Sequence, residues 1–164
     1  MTDFSFEEQN SDPIQKQGTL LVLKYLSEQG FEVRNVSEDK NYFESGADII
    51  ILYPDGIEKR DVKTDKWLAR TGNIAFELIE IFNIGGLVKL GWGFKDNIID
   101  YLDWENKILY TFLSKDIRNF VFSDEGNKSI VKSFQCWHPN KKYYTIGFLL
   151  KIENIKKLCK VIQI

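Results

Sequence analysis

Asp61 and Lys63 stand one residue apart in "IEKRDVKTD", and Asp48 opens the apolar run "ADIIILY" just before it. Carboxylates held close together repel unless a cation lies between them. Hard oxygen donors of this kind suit Mg²⁺ or Mn²⁺, with waters completing the shell. A divalent ion so held polarises a phosphoryl oxygen and generates hydroxide from water. A neighbouring ammonium can position that water and offset the charge building on a phosphate. Glu77, in "IAFELIEIF", is a third carboxylate. An acid on a strand this apolar is costly to bury unless it is paired or liganded.

The elements that must position these groups begin with a β-hairpin. Pro54-Asp55-Gly56 supplies its turn. Strand side chains alternate faces, so Asp61 and Lys63 share one face and Val62 points into a core. With the turn centred near Asp55, Asp48 falls almost opposite Asp61. The same alternation sets Glu77 and Ile79 on one face of their strand and Phe76, Leu78 and Glu80 on the other, with Glu80 exposed. Ahead of the hairpin, Ser11 or Asp12 caps a helix that starts at Pro13 and stops at Gly30, with Leu20, Leu21, Leu23 and Leu26 on one side. "FEVRNV" alternates as a half-buried strand does.

Downstream, Thr71-Gly72-Asn73 reads as a loop and "NIGGLVKLGWGFKD" as a loop or short connector. "NIIDYLDWENKILYTFL" reads as two strands about a turn at Trp104 to Lys107, and Ser114 caps a short helix. The tail reads as a strand and then a short basic helix carrying Lys156, Lys157 and Lys160. Helix, strands and helix in that order predict one α/β or α+β domain over residues 1–164.

A hydrophobic fraction of 43% with 14% aromatics excludes a disordered chain. A domain of this length hides about 70% of its unfolded surface. The net charge of −2 neither requires nor excludes nucleic acid, because a local basic surface can bind while the average stays acidic. Cys136 and Cys159 are too few for a disulfide framework or a zinc site, which predicts a reducing, intracellular setting. "MTDFSFEEQNSD" is acidic and lacks the apolar run of a signal peptide. No stretch approaches the roughly 18 apolar residues of a membrane span.

"ESGADIIIL…EKRDVKTD" resembles the PD-(D/E)XK nuclease superfamily, whose signature is an acid on one core strand and acid-x-Lys on the next. Asp48 and Asp61-Val62-Lys63 stand at those places. "DVKTDKWLARTGNIAFELIE", followed by "GWGFKDNIIDYL", is similar to small phage and prophage nucleases of that superfamily, and Glu77 falls where they carry a further acid. The resemblance spans roughly residues 12 to 120. It implies an α/β, restriction-endonuclease-like core: a central mixed β-sheet flanked by helices. It further implies a metal-dependent endonuclease hydrolysing DNA phosphodiester bonds in the cytoplasm of a bacterial or phage-infected host cell. Asp48, Asp61, Lys63 and Glu77 would be catalytic, with Asp48, Asp61 and Glu77 holding Mg²⁺ or Mn²⁺.

The sequence departs from the superfamily's pattern at two places. The glutamate common on its first helix is missing from "IQKQGTLLVLKYL", where Gln17 or Gln15 stands instead, with Gln17 the expected substrate contact. Gly46-Ala47, not proline, precedes Asp48. A catalytically inactive DNA-binding or assembly module on the same fold is the alternative, and a homodimer is left open. Lys66 and Lys95 are expected to meet nucleic acid, against the reading of solvated loop lysines. Trp92 either stacks on a base or fills the core, with core the expectation. His138 is a proton shuttle or a loop residue beside Pro139-Asn140, with loop the expectation. Lys141 to Tyr144 mix basic and aromatic residues as nucleic-acid surfaces do.

Overall fold

The computed structural model describes residues 13–83, 86–138 and 142–164. Helix α1 (Pro13–Glu28) leads into strands β1 (Glu32–Asn35), β2 (Ile49–Tyr53) and β3 (Gly56–Asp65), with the short helix α2 (Lys40–Phe43) between the first two. After α3 (Leu68–Thr71) come β4 (Asn73–Phe82), β5 (Val88–Leu90) and a 3-10 turn at Trp92–Phe94. Strands β6 (Ile98–Asp103) and β7 (Ile108–Leu113) precede helices α4 (Ser114–Val121) and α5 (Asp124–Lys128). The chain continues through β8 (Ile130–His138), β9 (Tyr143–Lys151), α6 (Ile152–Ile155) and β10 (Lys160–Gln163).

Two sheets result. A six-stranded mixed sheet has the order β1-β2-β3-β6-β7-β10, and a four-stranded antiparallel sheet the order β5-β4-β9-β8. Only β3 and β6 run parallel in the larger sheet. Parallel neighbours need a long crossover, and here that crossover contains β4 and β5, so the second sheet grows out of the link.

Each face of the six-stranded sheet is covered differently. Val62, Leu102, Ile49 and Ile51 pack against Val22 and Leu26 of α1. On the other face, Ile99, Tyr101 and Phe112 meet Ile74 and Phe76 of β4, Trp92, and Ile117 of α4. Helix α1 buries Gly18, Thr19, Val22 and Leu26, while Leu20 lies open to solvent, which corrects the expected leucine face. The reason is close approach: a Cβ on Gly18 would stand 1.9 Å from Thr64 Oγ1 of β3. Ser11 and Asp12, the expected caps, lie outside the described residues. Gly30, at φ +86°, ends the helix as expected.

Several other expectations change. Val88–Leu90 is a strand rather than a connector, because it pairs with Ile79–Ile81 of β4. Ser114 begins α4 but does not cap it; its hydroxyl donates to the Lys95 carbonyl. The tail after Lys160 is a strand on the edge beside β7, so the expected basic helix is replaced by a 3-10 turn at Lys156–Leu158 and then β10. His138 is the last residue of β8 rather than a loop residue. Trp92 fills the core, edge-on to Phe76 at 5.0 Å between centroids. Among the described residues, no helix is long and apolar enough to cross a membrane.

Candidate active site

The hairpin register brings the first two carboxylates together. Pairing runs from Tyr53↔Gly56 to Ile49↔Arg60, and one step further sets Asp48 opposite Asp61. At that step the ladder opens. Asp48 N–H donates to the Arg60 carbonyl at 2.8 Å, and the Asp48 carboxylate, not its carbonyl, accepts the Val62 N–H at 2.9 Å. The Asp48 carbonyl turns instead to Val36 N–H on the β1 side, also at 2.8 Å. Asp48 is thereby locked by its own side chain where β2 begins.

Asp61 is buried, and its Oδ1 lies 3.0 Å from Lys63 Nζ, which keeps partial access to solvent. Asp61 and Lys63 share the sheet face that carries Ile99 and Tyr101, their parallel partners on β6. Burial pushes the Asp48 carboxyl up to about 7, and the adjacent Asp61 charge and a side-chain hydrogen bond to it push the same way. Burial opposes the Lys63 charge, but Asp61, Glu77 and Asp48 overcome it and hold the ammonium well above its ordinary range. Lys63 is therefore a fixed cation, not a base.

Glu77 reaches this group from the second sheet. Burial raises its carboxyl, the Lys63 charge lowers it, and Glu80, Asp61 and Lys95 also act on it. Strand β4 bulges between Glu77 and Ile79, so Glu77 reads across to Gly147 and Glu80 to Thr145, two residues apart on β9. The extra residue, Leu78, resets the alternation. Glu80 thus shares the Glu77 face and is half-buried, which corrects the expectation of an exposed residue on the opposite face. The sequence carries no local mark of this bulge. On that face Thr145 is buried, and its Oγ1 lies 3.0 Å from His138 Nε2.

The substrate-contact residues separate. Lys95 lies across Gly46, whose absent Cβ would stand 2.8 Å from Lys95 Nζ, and its charge is felt at Glu77. Lys66 is exposed beyond the end of β3 with its Nζ 5.3 Å from the Trp67 ring centroid. Gln17 is exposed on α1, away from any bonded partner at the acids. Gln15 is the glutamine that meets the acid-x-Lys strand. Its Nε2 donates to the Val62 carbonyl, and its Oε1 accepts the Thr64 N–H at 2.9 Å. It grips the backbone on both sides of Lys63. Lys141 lies outside the described residues; Tyr143 is buried beside Phe82 and His138.

Asp48 and Asp61 carry the kind of oxygen donors that a hard divalent cation would take. The two adjacent carboxylates present oxygen donors side by side, and Mg²⁺ needs only one or two carboxylates beside waters and phosphate oxygens. Among the described residues, no three His, Cys, Asp or Glu side chains group closely enough to hold an ion. Glu77 therefore meets the pair through its field rather than as a contacting third donor. Compared with protein-family models, with curated proteins and with solved structures, the chain matches none.

Proposed function

We propose that this chain is a Mg²⁺- or Mn²⁺-dependent endonuclease that hydrolyses DNA phosphodiester bonds. The observation that carries the proposal is the pairing of Asp48 with Asp61 across the hairpin, with Lys63 Nζ 3.0 Å from Asp61. A helix, a three-strand meander and a parallel fourth strand at β6 further support a restriction-endonuclease-like core around that pair.

Asp48 and Asp61 would hold the ion. The ion supplies Lewis-acid polarisation of the phosphate and makes a water more acidic. Lys63, kept protonated, orients the attacking water and offsets charge developing on the phosphoryl oxygens. Water adds across the ester: its oxygen bonds to phosphorus, the bridging P–O bond breaks, and the departing sugar oxygen takes a proton. Lys95, reaching over Gly46, supplies a second positive charge on the approach to the acids. Gln15 keeps the Val62 and Thr64 backbone fixed, so that Asp61 and Lys63 hold their separation.

The test is nicking of supercoiled plasmid with Mg²⁺ or Mn²⁺, comparing wild type with Asp61→Asn and Lys63→Met. Loss of nicking in both variants is expected. Equal nicking in all three rejects Asp61 and Lys63 as the catalytic site, and none by any of them with DNA still bound rejects hydrolysis and leaves a DNA-binding module.

A further inference from the structure

Trp67 is a large aromatic side chain left half open, 50% exposed, at the turn that follows β3. A tryptophan this exposed is unusual without a partner to cover it. Its surroundings are ordered. Asp65 Oδ1 accepts the Trp67 N–H at 2.6 Å and the Leu68 N–H at 3.1 Å, while Asp65 Oδ2 accepts the Tyr101 hydroxyl at 2.8 Å. The turn is thus pinned to the sheet face that carries Asp61 and Lys63. Leu68 anchors it further, buried in the same cluster as Ile99 and Tyr101. The ring cannot drift far from Lys63, since four residues of chain span at most about 14 Å.

Two cations lie over the ring. The Arg70 guanidinium carbon lies 4.0 Å from the ring centroid, and Lys66 Nζ lies 5.3 Å from it. Neither Lys66 nor Arg70 forms an ion pair among the described residues. An exposed aromatic platform covered only by cations that have no acidic partner among the described residues suits a flat base attached to a phosphate, the base taking the ring face as the cations turn to the phosphates. Indole faces stack on unpaired bases, and the cations take the adjoining phosphates. A paired base inside a duplex offers no free face to such a platform.

We propose that Trp67, Lys66 and Arg70 form a seat for an unpaired nucleotide of single-stranded DNA beside the acidic site. The choice of DNA rests on the nuclease reading above. The seat defines the substrate class as DNA with a single-stranded segment close to the scissile phosphate, such as a flap, a frayed end or a bubble.

Binding is measured in EDTA, so that cleavage plays no part, by fluorescence anisotropy with labelled oligothymidylate and with a blunt duplex of equal length. Wild type is expected to prefer the single strand. Trp67→Ala is expected to weaken single-strand binding about 10-fold, in the range a lost base stack gives, and to leave duplex binding unchanged. Trp67→Phe is expected to retain most of the affinity. Lys66→Ala and Arg70→Ala are each expected to lower the salt dependence by about one released ion. Because Trp67 lies outside the core, unchanged thermal melting of its variants is the control for folding. Equal single-strand binding by wild type and Trp67→Ala overturns the seat, and so does an equal loss on single strand and duplex. Trp67-dependent binding without any metal-dependent nicking supports the seat and overturns only the hydrolytic reading. Nicking that persists with no effect of Trp67 overturns only the seat.

Discussion

Asp48 shows how burial and a neighbouring acid favour the protonated form of a carboxyl. Burial, followed by the Asp61 charge, lifts its carboxyl from the usual 3.8 to about 7. In the metal-free protein the folded state therefore holds a proton that the unfolded chain has already released between about pH 4 and 7. Where the folded state binds more protons, stability falls as pH rises. Chemical denaturation of metal-free protein is expected to show that fall across the window, on the order of 4 kcal/mol. In Asp48→Asn, which has no proton to lose there, the slope is expected to shrink to what the raised Glu77 and Asp100 carboxyls contribute; a slope unchanged by the substitution would assign it elsewhere. Lys63 carries the opposite duty. Lys63→Met removes the charge opposing the buried Asp61, so metal-dependent nicking is expected to drop by about 10²–10³-fold, the loss typical of one electrostatic stabiliser. Free lysine-like amines in the assay buffer should not restore it, because the ammonium acts from a fixed position.

The hairpin was legible because its information is local. A Pro-Asp-Gly turn fixes the register, alternation fixes the faces, and together they set Asp48 against Asp61. What the sequence hid depends on distant pairing. Leu78 looks like any apolar strand residue, and only its fit against β9 makes it the bulge that turns Glu80 to the Glu77 face. Val88–Leu90 and Lys160–Gln163 are too short to be read as strands until β4 and β7 offer edges. The helix shows the same contrast. Its start and stop are written in Pro13 and Gly30, but its buried face follows from Gly18, which lets it close on Thr64. Gly18→Ala is expected to push α1 off β3 and to cost about 1–3 kcal/mol by denaturant titration. Gln15→Ala removes both hydrogen bonds to the β3 backbone. Its expected cost is about 1–3 kcal/mol, with nicking falling more than the melting temperature alone would explain. Gln17→Ala, on the exposed side, is expected to change neither.

Across the whole molecule the candidate site lies on a seam. Asp48, Asp61 and Lys63 come from the six-stranded sheet, and Glu77 and Glu80 from the four-stranded one. The two sheets share one core through Phe76, Trp92, Ile99 and Tyr101, so the seam is held by packing rather than by the acids themselves. The acids instead carry a repulsion that folding must tolerate, relieved in part by the charge on Lys63. On the proposed reading a divalent ion binding only the folded state would relieve it further, and mass action would convert that binding into stability. Mn²⁺ at about 100 times its dissociation constant is expected to stabilise wild type by about 2.7 kcal/mol, read as a rise in melting temperature that grows with the logarithm of its concentration. The rise is expected to be larger at pH 8 than at pH 6, since the ion must displace the Asp48 proton. Asp61→Asn is expected to abolish it. Glu77→Gln separates two arrangements of the seam. If Glu77 acts only through its field, as its place outside any three-ligand group indicates, the affinity for Mn²⁺ changes by less than about 3-fold. A loss comparable to that of Asp61→Asn would instead make Glu77 a ligand, with β4 moving toward β3 when the ion binds.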